Sequence, residues 1–196
     1  MPRSTPALSL PLRTPRLVLR DFVADDLAAV RAYANDDQVL EHVLHEPRDE
    51  PELREHLDRV LAAQGNRPRR AWELAVEVAR TGRVIGTCDL ALTGTRTLDA
   101  DLGYMLARRH WGRGYATELA TALVDAAFRQ LRVARVQAIV DVRNERSRRV
   151  LDNAGLHWEG LLRRHAHAKG RWWDCHLYSL RRADWQARAS RLAAAG

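Results

Sequence analysis

The sequence predicts a single α/β domain built around one mixed sheet. Three observations carry that expectation. Segments of strand length and amphipathic helical segments follow one another in the order β-α-α-β-β-β-α-β-α-β-β. At 196 residues the chain is long enough for one well-buried core. No internal repeat and no long linker divides it.

The elements follow from local patterns. Residues 1–11, with their prolines and no periodicity, read as a flexible N-terminal tail. "RLVLRDF" from Arg16 has strand length and composition. Asp25 is placed to cap a helix reaching Ala34, with Leu27, Val30 and Ala34 at helical spacing. A second helix is expected from about Pro51 to Gln64, where Leu53, Leu57, Val60 and Leu61 form a stripe. "AWELAVEVARTGRVIGTCDLAL" gives two strands around a turn at Thr81–Gly82, and a third strand covers about Asp101 to Leu106. From Ala116 a stripe of Leu119, Ala120, Leu123, Val124, Ala127 and Phe128 specifies a helix. "RVQAIVDV" is a strand, and "NERSRRVLDNAGL" a short helix ended by Gly155. "HWEGLLRR" and "WWDCHLYSL" are strands around a turn at "AKGR", and a helix begins near Ala183. The domain therefore spans 12–182, with 183–196 as a C-terminal helix and tail.

Composition narrows the function classes. The 46% hydrophobic and 29% charged content is that of an ordinary soluble globular protein, and no apolar run approaches a membrane span. No signal peptide is read at the N-terminus, and two cysteines without metal or disulfide spacing fit a reduced cytoplasm. The formal charge of +7 invites nucleic acid, but Lys169 is the only lysine and arginines are scattered throughout. Neither a nucleic-acid partner nor a membrane is expected. His165, His167 and His176 lack a clear further ligand set, so no metal is expected.

The segment "DLGYMLARRHWGRGYATEL" joins a strand to a helix through a basic, glycine-containing turn. Amides at a helix N-terminus lack intrahelical partners and face an anion; glycine lets the backbone approach a phosphate, and arginine adds charge. Three designs compete. A P-loop needs Gly-Lys followed by Ser or Thr, and no lysine stands here. A dinucleotide fingerprint needs a third glycine where Thr117 stands, although Asp141 could serve as its acid. A turn that only connects strand to helix is the plain alternative.

The third design is Arg109-x-x-Gly112-x-Gly114, which resembles the acetyl-CoA motif of the GNAT N-acetyltransferase superfamily. "LRTPRLVLRDFVADDLAAV", "GRVIGTCDL", "NERSRRVLDNAGLHWEG" and "GRWWDCHLYSL" resemble the RimJ/RimL-like branch in order and spacing, over about Leu12 to Leu180. The resemblance implies a mixed, mostly antiparallel sheet with splayed central strands flanked by helices. It implies acetyl-CoA as co-substrate, its pyrophosphate held by the turn of Arg109, Trp111, Gly112, Arg113, Gly114, Tyr115 and Ala116. It implies a pantetheine arm paired to backbone groups of Tyr104, Met105 and Leu106, with the N–H of Leu106 or Met105 serving the oxyanion.

Acetyl transfer needs a neutral amine, a stabilised oxyanion and a proton for the leaving thiolate. Where many superfamily members carry an acidic tyrosine this chain has Leu151; the branch instead implies Ser147 as acid and Asn144 as a coenzyme contact. Both residues also suit a helix N-terminus, Asn144 as its cap. If "AKGR" is a four-residue loop, His167 pairs with Trp172 and His165 with Asp174, which would orient His165 as a base. A solvated hairpin is the alternative, and a one-residue slip destroys the pairing. Glu118 suits the helix dipole, and Cys88 reads as a buried strand residue rather than a nucleophile. Trp172 and Trp173 line the acceptor site or pack a core or homodimer surface. The expected activity is direct transfer from acetyl-CoA to a primary amine on a protein N-terminus or small molecule. The alternative is a non-catalytic acyl-CoA-binding module.

Overall fold

The computed structural model describes residues 7–94 and 98–194. Its strands are β1 (Leu12–Arg13), β2 (Leu17–Asp21), β3 (Ala71–Val78), β4 (Arg83–Thr93), β5 (Asp99–Leu106), β6 (Arg135–Asp141), β7 (His157–Ala168) and β8 (Arg171–Arg181). Its helices are α1 (Leu27–Ala34), α2 (Asp37–Leu40), α3 (Glu50–Ala63), α4 (Tyr115–Ala126), α5 (Glu145–Ala154) and α6 (Arg182–Ala194). One eight-stranded sheet runs in the order β1-β2-β3-β4-β5-β6-β8-β7. Among the described residues only β5 and β6 pair in parallel, so the doubly wound alternative is removed.

The local causes are mostly those read from the sequence, with four corrections. Asp25 does not cap α1. A 3-10 turn, Ala24–Asp26, precedes that helix, and the Asp26 carboxylate accepts from Val23 N–H at 2.9 Å. The second long helix starts at Glu50 because Asp49 and Glu52 form a reciprocal capping box around it. The short helix α2 went unpredicted because four residues are too few for periodicity; Asp36 caps it. The first residues of the domain are also not all tail. Leu8 is buried against the core and Ser9 N–H donates to Gln130 at 2.7 Å, while residues 1–6 lie outside the described ones.

Two apolar layers clad the sheet. Leu119, Leu123 and Phe128, fully buried on and just after α4, pack on the face carrying Leu74, Cys88, Leu90 and Leu102. Each such side chain contributes roughly 1.5–3 kcal/mol on burial. On the opposite face, Val30 and Tyr33 of α1 and Leu53, Leu57 and Val60 of α3 cover Ala75 and Val84. The terminal helix α6 closes on α4, with Trp185 stacked on Phe128 at 5.2 Å and its indole N–H donating to Asp125 at 2.6 Å.

Pairing of β5 with β6 stops at Asp101 and Gln137, where the Gln137 amide donates to Asp101 at 2.6 Å. Beyond that point β5 continues against β4 to Leu106, and β6 continues against β8 to Asp141. The strands therefore part into a V whose inner backbone edges have no strand partner.

On the second face a buried Asp26 accepts from both terminal nitrogens of Arg20, at 2.7 and 3.0 Å, while Arg20 Nε donates to Glu77 at 2.7 Å. The network ties the start of α1 to β2 and β3. Replacing Asp26 with Ala leaves Arg20 half-satisfied and Val23 N–H uncapped. The expected loss in urea unfolding is about 2–4 kcal/mol. A loss below about 0.5 kcal/mol would show that the network behaves as a surface pair.

Candidate active site

The turn after β5 has the local chemistry of an anion cradle. Gly112 and Gly114 both take left-handed backbone, with φ of 72° and 77°. Space is open where a Cβ on Gly112 would stand, whereas one on Gly114 would meet Arg16 Nη2 at 3.3 Å. The first bond of α4 runs from Glu118 N–H to Gly114 O at 3.1 Å, so the amides of Tyr115, Ala116 and Thr117 precede the helical ladder. Arg109 and Arg113 lie on the exposed surface of the turn, and His110 Nδ1 is buried there without a partner. Burial first, and then Arg109, Arg113 and Arg83, hold the His110 ring below its usual range. Trp111 packs partly buried against the core, and its indole N–H donates to Leu106 O at 2.7 Å.

Glu118 positions this turn. It accepts from Thr14 Oγ1, from Arg16 N–H at 2.8 Å and from Arg16 Nε at 2.6 Å. Arg16 in turn donates to Arg113 O at 2.9 Å and lies over the Tyr115 ring, 4.7 Å from its centre. The carboxylate thus latches the approach to β2 onto the first turn of α4, a more specific role than dipole compensation.

The register of β5 decides which backbone groups face the V. Ala107 N–H donates to Ile85 O at 2.8 Å, so odd-numbered residues turn their amides and carbonyls to β4. Ala134 N–H donates to Leu98 O at 2.7 Å, so even-numbered residues face β6. Tyr104 and Leu106 therefore present backbone to the gap. Met105 does not, which corrects the expectation for its amide; its side chain lines the cavity instead. Of the two amides, only that of Leu106 faces the gap.

A cavity of about 430 Å³ passes through the V. Tyr104, Asn144, Ser147 and Leu151 line it on one side; Tyr33, His56, Glu73 and Asp89 line it on the other. The Tyr104 hydroxyl and Ser147 Oγ are 2.7 Å apart. Burial pushes the Tyr104 phenol up, and the Ser147 bond offsets this only in part. The pair was invisible in sequence, since 43 positions separate its members. Asn144 is the cap of α5, its Oδ1 accepting from Ser147 N–H at 2.9 Å, which leaves its amide nitrogen for another contact.

Two histidine–carboxylate pairs border the cavity, also missed from sequence. His42 Nδ1 lies 3.0 Å from Asp141, and His56 Nε2 lies 3.0 Å from Glu73. Burial works against the Asp141 charge, but bonds from Arg143 and His42 outweigh it and hold the carboxyl low. The only sequence signal for Asp89 was a lone acid in the apolar run "GTCDLAL".

The expected pairing of His165 with Asp174 does not form. The hairpin turns through Lys169 and Gly170, both at positive φ, and His167 does pair with Trp172. The register then shifts between Leu162 and Ala166, so Arg163, Arg164 and His165 bulge opposite Asp174. Arg164 takes φ of 48°, and its amide donates to Asp174 at 2.7 Å. The Asp174 carboxylate is thereby committed to the bulge, and among the described residues it does not orient His165. Trp173 is buried at the cavity wall with its indole N–H on Ala168 O, whereas Trp172 is half exposed.

Comparison with known proteins agrees with this geometry. The family model described as an acetyltransferase (GNAT) domain matches residues 16–157. The chain belongs to the GNAT acetyltransferase family. This acetyltransferase is 32% identical to the N-acetyltransferase p20 of Bacillus licheniformis, over 89% of this chain and 97% of that protein. Mycobacterium smegmatis RimJ, solved with a CoA disulfide, superposes with a TM-score of 0.76 at 25% identity, over 90% of this chain and 88% of its own. Spermidine N-acetyltransferase from Vibrio cholerae, solved with CoA and spermine, shares the fold with a TM-score of 0.75 at 21% identity, over 88% and 99%. The chain is thus an acetyl-CoA-dependent transferase of the RimJ/RimL-like kind. Among the described residues no helix of the acetyltransferase is long and apolar enough to cross a membrane, and no group of three or more side chains is arranged to hold a metal.

The latch at Glu118 generates a pH prediction. Burial raises its carboxyl, but the Thr14 and Arg16 bonds together win and hold it below its ordinary value of 4.5. A depressed folded-state pKa contributes stability above the unfolded pKa and loses it as pH falls through the folded one. Glu118→Gln should therefore cost about 1–3 kcal/mol at pH 7. The gap between variant and parent should close in unfolding curves taken from about pH 5 down to 3. A gap independent of pH would assign the cost to packing.

Proposed function

We propose that the protein transfers the acetyl group of acetyl-CoA directly to a primary amine in a ternary complex. One observation carries the reading: a single cavity joins the backbone edge of β5, the Ser147–Tyr104 pair and a set of carboxylates, without a wall between them. The co-substrate supplies the activated acetyl thioester, and the rest of the work falls to this chain. The turn from Arg109 to Ala116 binds the pyrophosphate through its amides, Gly112 and Gly114 giving close access and Arg109 and Arg113 the charge. Tyr104 and Leu106 pair with the pantetheine arm along the free edge of β5, and Leu106 N–H stabilises the oxyanion. Asn144, its oxygen committed to the helix cap, offers its amide nitrogen to the coenzyme.

Ser147 protonates the departing sulfur, relayed by the Tyr104 hydroxyl behind it. The relay makes good the lack of a tyrosine at Leu151. Direct transfer fits the state of the thiols: Cys88 is fully buried with its pKa pushed well up by burial, which suits neither a nucleophile nor an acyl carrier. The acceptor, a protein N-terminus or a small amine, enters on the α1–α3 side. Both cysteines are free and buried, in keeping with a reducing cytoplasm as the setting.

Two variants test the division of labour. Gly114→Ala places a side chain at positive φ and against Arg16. In a folded variant, coenzyme A should bind more weakly by about 2 kcal/mol in calorimetry; unchanged affinity would move the anion elsewhere. Ser147→Ala should lower kcat by about 10²-fold in single-turnover assays, with acetyl-CoA affinity within about tenfold of the parent. Parental turnover would remove Ser147 as the acid, and loss of affinity alone would make it a binding residue.

A further inference from the structure

The V opens onto a face of the sheet that carries three carboxylates in a patch: Glu73 on β3, Asp89 on β4 and Asp101 on β5. Two have partners. Glu73 binds His56 at 3.0 Å and Asp101 accepts from Gln137 at 2.6 Å. Asp89 has no hydrogen bond and no ion pair among the described residues, although it sits largely buried at the cavity wall. An isolated carboxylate at such a place is costly unless something of opposite charge visits it.

The backbone has made room for this group. Asp89 stands opposite Gly103, and a Cβ on Gly103 would lie 2.4 Å from Asp89 Oδ1. Any larger residue at 103 would drive the carboxylate off its position. Gly103 is also one residue before Tyr104, whose backbone lines the V, so Asp89 lies where the strands have just parted.

We infer that Asp89 is the general base of the transfer, receiving the acceptor as an alkylammonium ion and taking its proton before attack. The inference rests on the amine-acetyltransferase reading. R–NH3⁺ gives one proton to the Asp89 carboxylate, and the freed lone pair forms the N–C bond to the acetyl carbonyl carbon. The C–S bond then breaks, and its electron pair leaves on sulfur. The second amine proton is lost as the amide forms and the thiolate gains one from the Ser147 hydroxyl, which the lost proton replenishes. Asp89 returns its own proton to solvent.

The electrostatic setting supports this role. Burial, and then the neighbouring Glu73 and Asp101, push the Asp89 carboxyl up to about 6. Near neutral pH it is thus mostly ionised yet basic enough to accept a proton. The groups facing it are Glu73 from β3, Asp101 from β5, Tyr33 from α1 and His56 from α3, with Cys88 beside it in the chain. Arg48 and the histidines 42 and 45 line the loop side of the cavity.

Asp89→Asn keeps the shape and removes the base. Thiol release should be followed with n-butylamine, 1,4-diaminobutane and glycinamide, alongside calorimetry of the same amines on the coenzyme-A-loaded protein. The parent's kcat/KM for amine should rise with pH through a limb near 6, the value given by its environment. In Asp89→Asn it should fall by about 10²–10⁴-fold and lose that limb, with coenzyme affinity within about threefold. Amine binding should weaken at least tenfold. Should Asp89→Asn fail to fold, Gly103→Ala, which displaces the carboxylate, should give the same loss of rate and amine binding. Parental rate or an intact limb in a folded Asp89→Asn overturns the assignment while leaving amine acetylation standing. A parent that binds and acetylates none of the amines overturns both, and one that binds them equally well without Asp89 overturns the base alone.

Discussion

The rest of the structure depends on a conflict of partners at the centre of the sheet. β5 is committed to β4 along its whole length, and β6 to β8 along its own, but the two adjoin each other for only three register pairs. Past Asp101 and Gln137 neither strand can follow the other without leaving its outer neighbour. Interior backbone groups do not stay unpaired without cost. The edge of β5 at Tyr104 and Leu106 is where the proposed pantetheine arm would find backbone groups that no neighbouring strand takes up among the described residues. The glycine-containing turn proposed to hold the pyrophosphate stands at one end of that edge, and the carboxylate face opens at the other. On the proposed function, binding and chemistry share one defect in the sheet.

Long-range polar links tie together the elements around that defect. Arg20, Asp26 and Glu77 fasten α1 to the sheet below it, and Glu118 with Arg16 fastens the turn above it. Arg108 donates to Asp36 at 3.0 Å, joining the exit of β5 to the cap of α2. Lys169 donates to Leu40 O at 2.7 Å, so the tip of the β7–β8 hairpin meets α2 from the other side. These are long-range polar links between elements whose apolar packing alone would leave them free to slide. They border the cavity's α1–α3 side with groups drawn from distant parts of the chain.

The fold was legible in the sequence because its signals are local. Periodicity located α4 to within a residue, Gly155 stopped α5, and strand composition found the seven longer strands. The turn proposed to hold the coenzyme was legible as a turn for the same reason: its glycines, arginines and helix start occupy eight consecutive positions. What escaped is non-local or depends on register. The bulge at Arg163–His165 has no distinguishing composition, so the expected His165–Asp174 pair could not be excluded from sequence. Likewise Met105 and Leu106 are equivalent as residues and differ only in which neighbour their amides face. The Tyr104–Ser147 pair and the patch around Asp89 are assembled from separate elements, and no spacing rule brings them together.

One detail of the hairpin has a meaning beyond the fold. Lys169 is the only lysine in the chain, and its ammonium is engaged by a backbone carbonyl rather than left free. A protein that keeps a reactive thioester at its centre would ordinarily risk modifying its own surface. Here thirty-one of the thirty-two basic side chains are arginines, whose guanidinium groups stay protonated and do not acylate under such conditions. The chain therefore carries a single side-chain amine. The same scarcity makes Lys169 a nearly unique handle for amine-selective labels, with its reactivity reporting whether the hairpin tip is seated on α2.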